Sequence, residues 1–187
     1  MFSVVKRYFL MNIIIIGFKG CGKTLIGKIL ADRLKSKFHD IDTIIESIYS
    51  EETEKQLSFR DIYKKHGNEY FRNLEKRALE KIQGLENSVI SFGGGTIFVY
   101  DDICKKLTGH ITIYLHVEPK ILYERMIQHG IPAFLDRSRP LESFEILYAE
   151  RLPTYKRLAD IVVDNSKGVE DTIKNILQEL SRKDVWK

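Results

Sequence analysis

The sequence predicts a three-layer α/β/α fold, in which a parallel sheet of five strands lies between helices. Short apolar blocks rich in β-branched residues alternate along the chain with longer segments of helical periodicity. The first block runs directly into a glycine-rich loop and a helix, and two later blocks end in an acidic pair and a glycine triplet. Strands that are separated by helices pair in parallel, and such sheets are covered on both faces.

Size and composition fit one domain. The 187 residues allow a substantial core, and the net charge of +4 is spread over interleaved acidic and basic residues, which argues against a nucleic-acid surface. No apolar run reaches the roughly 18 residues that a membrane helix needs. The two cysteines, Cys21 and Cys104, lack metal-binding spacing, and we expect a reducing, cytoplasmic location.

The elements of the first half follow from local patterns. Residues 12–16 are predicted as a buried strand because four isoleucines run together, and residues 23–35 as a helix because apolar side chains recur on one face. A strand over 38–42 follows, then two or three helices between 43 and 84, and a strand over 88–92. The apolar residues assigned to one face of the first helix are Leu25, Ile26, Ile29, Leu30 and Leu34.

The second half continues the alternation. Pro119 suits the first turn of a helix, and residues 130–143 are irregular and partly polar. The remaining helices are predicted over 101–107, 119 to about 128, 143–157 and 169–180, and the strands over 111–117 and 160–163. We expect residues 1–11 to be an N-terminal extension, within which Met11 could be the natural start, and residues 12–187 to form one domain.

The glycine-rich loop Gly17–Thr24 matches the pattern G-x-x-x-x-G-K-[ST] between a strand and a helix, which is the setting of a phosphate-binding loop. Glycines let backbone N–H groups point at an anion, and the helix that follows adds its positive end. Lys23 would reach the β- and γ-phosphates of ATP, and Thr24 would ligate Mg²⁺. The predicted ATP contacts here are Gly20, Cys21, Gly22, Lys23, Thr24 and Leu25.

Two acids and a glycine triplet follow strands and should share the crevice with this loop, because ligands bind at the carboxyl ends of parallel strands. Asp40 and Asp42 are two apart, so in an extended strand both carboxylates would point toward the phosphates. One can hold the metal through water, and the other can accept a proton from an acceptor hydroxyl. The alternative is that Asp40 and Asp42 have a structural role only and cap a helix. Gly93–Gly95 would let the backbone approach a ligand closely, or would form only a turn.

Taken in order, these landmarks resemble the shikimate kinase family, which belongs to the nucleoside-monophosphate-kinase branch of P-loop proteins. The resemblance covers about residues 12–180 and implies a mobile lid over about 130–142. The landmarks are Gly17–Thr24, Asp40–Asp42, Gly67–Glu75, Val89–Gly95, and Glu150–Tyr155 before Ala159 and Asp160.

The resemblance also implies roles for individual residues. Asp40 would organise the metal through water, and Asp42 would contact the substrate hydroxyls and serve as the base. Arg72 and Arg151 would bind the shikimate carboxylate, a pairing that suits the forked guanidinium. The other implied site residues are Gly93, Gly94 and Gly95 beside the substrate ring, Glu75 beside the arginine, Tyr63 and Phe71 as aromatic walls, and Arg125 on the adenine.

The chain departs from the family pattern in two places. About six extra residues lie around 49–55 and would lengthen a surface loop or helix. The lid arginine that the resemblance implies is replaced by Pro132 in an ungapped count, so Arg137 or Arg139 would have to supply the missing charge. Its loss could slow turnover or change the acceptor.

The sequence therefore predicts a monomeric enzyme that transfers the γ-phosphate of ATP to the 3-hydroxyl of shikimate, on the route to aromatic amino acids. Lys23, Asp40 and Asp42 are the expected catalytic residues, ATP is the co-substrate and Mg²⁺ the cofactor. No nucleic acid or membrane partner is expected. One alternative keeps the fold and takes another polyol acid as acceptor. A second is a nucleotide-binding relative without catalysis, which the intact Lys23, Thr24, Asp40 and Asp42 argue against.

Overall fold

A computed structural model describes residues 11–99, 110–128 and 130–183, which form a parallel sheet with flanking helices. The strands are β1 (Ile13–Ile16), β2 (Lys37–Asp40), β3 (Ser88–Ser91), β4 (Ile111–His116) and β5 (Ile161–Asp164). The helices of the described residues are α1 (Lys23–Leu34), α2 (Ile41–Thr53), α3 (Phe59–Gln83), α4 (Thr96–Val99), α5 (Pro119–Ile127), α6 (Pro140–Leu158) and α7 (Val169–Arg182).

The sheet confirms the predicted five parallel strands. Its order is β2-β3-β1-β4-β5, and β1 pairs with β3 on one side and β4 on the other, so that Ile13 lies opposite both Val89 and Ile111. All four isoleucines of β1 are buried, because this central strand is covered on both faces. After β1 the chain forms β2 and β3 on one side of this strand and then crosses to form β4 and β5 on the other side. Ligands bind where the strand order reverses in this way, so a crevice is expected at the carboxyl end of β1.

Helix α1 packs on the sheet through a narrower stripe than its apolar pattern predicted. Ile26 and Leu30 are fully buried, but Leu25 is 53% exposed, so its assignment to the buried face was wrong. Gly27 allows the close packing, because a Cβ there would lie 2.5 Å from Cε2 of Phe38 in β2. The helix is therefore held tightly against the strand that ends in Asp40.

The boundary between β2 and α2 differs from the predicted strand over 38–42. The strand ends at Asp40, whose Oδ1 accepts a hydrogen bond of 3.1 Å from the backbone N–H of Asp42 and so caps α2. Asp42 lies in the first helical turn, and the extended geometry that was predicted to align the two carboxylates is wrong. At the other late boundary, α6 begins at Pro140 rather than at residue 143, because proline suits the first helical position.

Two helices, α2 and α3, span the segment for which two or three were predicted. Helix α3 is kinked at Gly67, which adopts φ 78° and ψ −177°. The extra residues around 49–55 mostly extend α2, which is tied to α3 by the ion pairs Glu52–Arg77 and Glu51–Lys81. The insertion is thus mainly helical and pinned to its neighbour.

Some predictions fall on residues that are not described. The extension before residue 11 and the helix predicted over 101–107 lie outside the described ranges, whereas the short helix α4 had not been predicted. Across those ranges, no helix combines the length and apolarity that crossing a membrane requires.

Asn12, just before β1, gives a test of how the amino ends of the neighbouring strands β1 and β3 are held together. Its fully buried side chain donates from Nδ2 to the Leu85 carbonyl (2.6 Å) and accepts at Oδ1 from the Ser88 N–H (3.0 Å). Asn12→Ala leaves the Leu85 carbonyl and the Ser88 N–H without these hydrogen-bond partners. We therefore expect urea unfolding to show that the free energy of unfolding falls by about 2–4 kcal/mol. The exposed Asn175 on α7 provides the control, since Asn175→Ala should change stability by less than about 0.5 kcal/mol. Equal effects of the two variants would contradict this account.

Candidate active site

The loop after β1 wraps around the ammonium of Lys23. Gly20 and Gly22 adopt φ of 86° and 94°, a left-handed backbone that favours glycine and turns the loop back on itself. Lys23 Nζ donates to the carbonyl oxygens of Gly17 and Phe18, at 3.0 Å each. The ammonium and the start of α1 therefore face the same concavity, where an anion is stabilised by both.

Asn165, at the end of β5, fixes the far side of this loop. Its Nδ2 donates to the Cys21 carbonyl at 2.8 Å, and its Oδ1 accepts from Thr172 Oγ1 at 2.7 Å. A Cβ on Gly22 would lie 2.7 Å from the same amide, so only glycine fits there. Arg125, predicted to stack on adenine, donates from Nη1 to the Asn165 carbonyl at 3.0 Å and so lies beside the loop.

Thr24 and Asp40 lie next to each other at the mouth of the loop. Thr24 Oγ1 donates to Asp40 Oδ2 at 2.8 Å, while Asp40 Oδ1 caps α2. The described ranges hold no group of three or more His, Cys, Asp or Glu side chains that could bind a metal by themselves. Hydroxyl and carboxylate oxygens are nevertheless the donors that Mg²⁺ takes, and its other ligands are usually waters and substrate phosphates. The two residues therefore fit a magnesium ion that arrives with a nucleotide.

Asp42 is a weaker acid than an ordinary aspartate, because its pKa is raised. Its pKa is raised from 3.8 to about 6, first by burial and then by the negative charge of Asp40, while the Lys23 ammonium opposes the shift. Glu75 and Glu46 also act on it, so Asp42 lies within an acidic group that faces Lys23. A carboxylate that titrates near neutral pH can exchange a proton with a bound hydroxyl.

The glycine triplet after β3 meets both the loop and Asp42. A Cβ on Gly93 would lie 3.6 Å from Asp42 Oδ1, and a Cβ on Gly94 would lie 3.1 Å from the backbone nitrogen of Lys19. These short approaches bring together the three sequence segments that were predicted to share one crevice. They also leave exposed backbone in the middle of it, beside the acid.

Arg72 is held by the buried carboxylate of Glu75. Arg72 Nη1 and Glu75 Oε2 are 2.5 Å apart, and Glu75 Oε1 accepts from Thr96 Oγ1 at 2.7 Å. Glu75 is only 4% exposed, so its charge depends on these two donors. The role predicted for Glu75, to steady the arginine, agrees with this geometry.

Arg151 approaches the same crevice from α6. Its Nη1 donates to the Gly94 carbonyl at 3.2 Å, and its guanidinium lies 5.4 Å and 5.0 Å from the ring centroids of Phe18 and Phe98. Tyr155, one turn further on, donates to the same Gly94 oxygen at 2.6 Å. Sequence reasoning gave no role to Tyr155 or Asn165; the only signals were that one follows a site arginine by a helical turn and the other follows a strand.

Aromatic side chains make contacts both in α3 and in the segment that was predicted as a lid. Tyr63 and Phe71, the predicted aromatic walls, make an edge-to-face pair with centroids 5.6 Å apart. Pro132, at the position of the implied lid arginine, is buried, whereas Phe134 is 45% exposed and packs edge-on against Phe18.

The two candidate lid cations lie at the surface. Arg139 pairs with Glu142 at 3.3 Å on the first turn of α6, and Arg137 is exposed. Neither arginine has a described contact with Lys23 or Asp42.

The parallel sheet and the glycine-rich loop that holds Lys23 define a P-loop phosphotransferase, and Arg151 meets this loop's neighbour, the glycine triplet, at the same end of the sheet. The family model for shikimate kinase matches residues 19–181. The chain therefore belongs to the shikimate kinase family, whose members are ATP-dependent phosphotransferases.

Several of the similar proteins and solved structures are shikimate kinases. The chain is 33% identical to the shikimate kinase of Caldanaerobacter subterraneus, with 91% of this chain and 94% of that protein covered. It is 31% identical to that of Neisseria meningitidis serogroup C, with 91% and 96% covered.

Among solved structures, a shikimate kinase of Acinetobacter baumannii in complex with shikimate matches with a TM-score of 0.81 and 25% identity, over 97% of this chain and 98% of that one. The enzyme of Aquifex aeolicus matches with a TM-score of 0.78 and 30% identity, over 95% and 100%.

Asp42 gives a prediction that needs no substrate. Its native pKa of about 6 lies above the ordinary 3.8, so the native state binds the proton more tightly than the unfolded chain. This contribution to stability is complete below about pH 4 and is lost as the pH rises through 6. We expect Asp42→Asn to be more stable than the wild type at pH 8, by on the order of 2 kcal/mol, with the gain shrinking toward pH 4.

Urea unfolding without nucleotide at several pH values measures the difference. The exposed Asp32 on α1 is the matched control, and Asp32→Asn should show no pH-dependent gain. If Asp42→Asn is destabilised equally at pH 4 and pH 8, the buried, proton-binding Asp42 described above is wrong.

Proposed function

We propose that this protein transfers the γ-phosphoryl group of ATP to the 3-hydroxyl of shikimate. The observation that carries the proposal is that Asp42 faces Lys23 of the nucleotide loop and lies against Gly93. Arg151 contacts the next glycine, Gly94, and Arg72 is held by Glu75, which binds Thr96 just after the triplet. The family membership supports it, as does the fold similarity to a kinase whose structure contains shikimate.

The nucleotide half of the site consists of the loop and α1. Backbone N–H groups around Gly20 and Gly22 and the positive end of α1 would surround the β-phosphate. Lys23 would exchange its two loop carbonyls for β- and γ-phosphate oxygens, which are better acceptors for an ammonium. Arg125, beside Asn165, lies where it could cover the adenine.

Thr24 and Asp40 would hold Mg²⁺, the threonine directly and the aspartate through water. When bound, the ion neutralises the phosphate charge that develops during transfer. Asp40 can serve in this way while still capping α2, because its two oxygens have separate partners. The hydrogen bond from the Asp42 N–H to Asp40 Oδ1 also ties Asp42 to the residue that would hold the metal.

The acceptor half would bind a carboxylate between Arg72 and Arg151. A guanidinium has five N–H donors, so Arg151 can contact Gly94 O and still present donors to a ligand. The same holds for Arg72, which is anchored to Glu75. Gly94 and Gly95 would lie against the ring of the acceptor, and the open space that a Cβ on Gly95 would enter stays free for it.

Asp42 would orient the acceptor hydroxyl and take its proton. The acceptor oxygen then bonds to the γ-phosphorus while the bond from that phosphorus to the β–γ bridging oxygen breaks, and ADP leaves. Because its pKa is about 6 in the free protein, Asp42 is mostly ionised at pH 7 and above and can accept the proton. Near neutral pH this acidity is well placed for general-base work.

The direct test is ADP release from Mg-ATP by the purified protein with and without shikimate. We expect strong stimulation by shikimate and none by other hydroxylated acids such as quinate or gluconate. Stimulation by one of those acids instead would favour the alternative of a different acceptor. ATP binding without any stimulated release would favour the non-catalytic reading.

Asp42→Asn separates transfer from nucleotide binding in the same assay. It should lower kcat at least about 100-fold, since a positioned base contributes roughly 10²–10⁴-fold. The Kd for Mg-ATP, measured by calorimetry, should change by less than about threefold because Lys23 and the loop remain. Matched losses in both quantities would remove Asp42 from the role assigned to it.

Arg72 tests the carboxylate site. Arg72→Lys keeps a positive charge beside Glu75 but loses the fork, and we expect the KM for shikimate to rise about tenfold or more while the KM for ATP stays within threefold. Arg77→Lys on the same helix is the control, because Arg77 pairs with Glu52 on α2. An unchanged shikimate KM in Arg72→Lys would place the carboxylate elsewhere.

A further inference from the structure

Lys19, the third residue of the loop, has a position that the proposed mechanism does not use. Its ammonium lies 5.5 Å from the ring centroid of Phe134 in the lid segment, and its side chain is exposed. Its backbone nitrogen is 3.1 Å from where a Cβ of Gly94 would be, so the residue sits where the nucleotide loop meets the acceptor backbone. The side chain therefore leaves the loop at the junction of the two half-sites.

The charges around Lys19 point the same way. Burial lowers the pKa of Lys19, the nearby Arg60 at the start of α3 lowers it as well, and Asp42 raises it. Lys19 and Arg60 carry two positive charges, and the carboxylate of Asp42 is the negative charge that acts on the pKa of Lys19. A second anion would therefore be stabilised near Lys19. The group that arrives between Lys23 and Asp42 during transfer is the phosphoryl group.

Four of the other cations at the crevice are already held by oxygen atoms. Lys23 donates to loop carbonyls, Arg151 to Gly94 O, Arg125 to Asn165 O, and Arg72 pairs with Glu75. Lys19 instead lies over the ring of Phe134, and a contact of this kind is weak at an exposed site. A phosphate oxygen would displace this contact easily, because a charge-assisted hydrogen bond is stronger.

We propose that Lys19 is a catalytic residue that contacts the transferred phosphoryl group and stabilises the negative charge on its equatorial oxygens. This inference rests on the proposed phosphoryl transfer and adds a second cation to Lys23. In the transition state the charge spreads over three oxygens, and cations placed around them lower the barrier. Lys19 would reach them from the loop itself, whereas Pro132 of the lid offers no charge.

Lys19→Met tests the proposal, since it removes the charge and keeps a similar length. We expect kcat to fall about 100-fold, the usual loss when one stabilising donor is removed, while both KM values change less than about threefold. Lys19→Arg should recover activity to within about tenfold of the wild type. An unchanged kcat in Lys19→Met would overturn the proposal.

Two matched variants separate this role from simpler ones. Phe134→Leu removes the ring but keeps Lys19, so a kcat loss as large as that of Lys19→Met would mean that Lys19 only latches the lid. Lys174→Met removes an exposed lysine on α7 and should leave kcat unchanged. A loss there equal to that of Lys19→Met would mean that the effect is one of overall charge.

A binding measurement keeps the test independent of the acceptor. The fluorescence of a ribose-labelled Mg-ADP reports its Kd with and without aluminium fluoride, which mimics the transferred group. Lys19→Met should weaken binding about tenfold or more only when aluminium fluoride is present. Equal binding of the analogue by wild type and Lys19→Met overturns the proposal. If the wild type fails to phosphorylate shikimate but this difference persists, the acceptor is wrong and the role of Lys19 stands.

Discussion

The crevice depends on the close approach of two backbone segments, the loop after β1 and the glycine triplet after β3. A Cβ at Gly94 would lie 3.1 Å from Lys19 N and 3.5 Å from Gly17 O, so a side chain there would force the segments apart. The Gly94 carbonyl is fixed in turn by Tyr155 and Arg151 of α6. One peptide group thus sets the distance between the nucleotide half and the acceptor half, and phosphoryl transfer is sensitive to that distance because positioning supplies much of the catalysis.

The electrostatics of the site follow from this compactness. Asp40, Asp42 and Glu75 are gathered close together, and the free energy that this costs is partly offset by Lys23 and Arg72. The balance leaves Asp42 with a pKa near 6, so the same burial that destabilises the native state at neutral pH gives Asp42 an acidity that suits its proposed role as a base. In the proposed complex, the carboxylate of the acceptor would balance the charges of Arg72 and Arg151, and the phosphates of Mg-ATP would balance the charge of Lys23.

Much of the fold could be predicted from the sequence because its signals are local. The isoleucine run, the loop and α1 are adjacent in the chain, so their strand–loop–helix order was predictable, and the glycine triplet was correctly placed at the end of a strand. The acidic pair was assigned to the right crevice but to the wrong conformation, because Asp40 ends its strand by capping α2. Leu25 was assigned to the buried face, but the sheet covers a narrower stripe of α1. Asn165 and Tyr155 could not be found, since their partners Cys21 and Gly94 lie 144 and 61 residues away.

A crystal structure with Mg-ADP and shikimate would test the central claim, that one crevice brings the acceptor hydroxyl between Asp42 and the transferred phosphoryl group. We expect the 3-hydroxyl within about 2.6–3.2 Å of an Asp42 oxygen and directed at the terminal phosphate, with the carboxylate on Arg72 and Arg151. Shikimate bound with its carboxylate away from both arginines, or with its hydroxyl beyond reach of Asp42, would contradict the account.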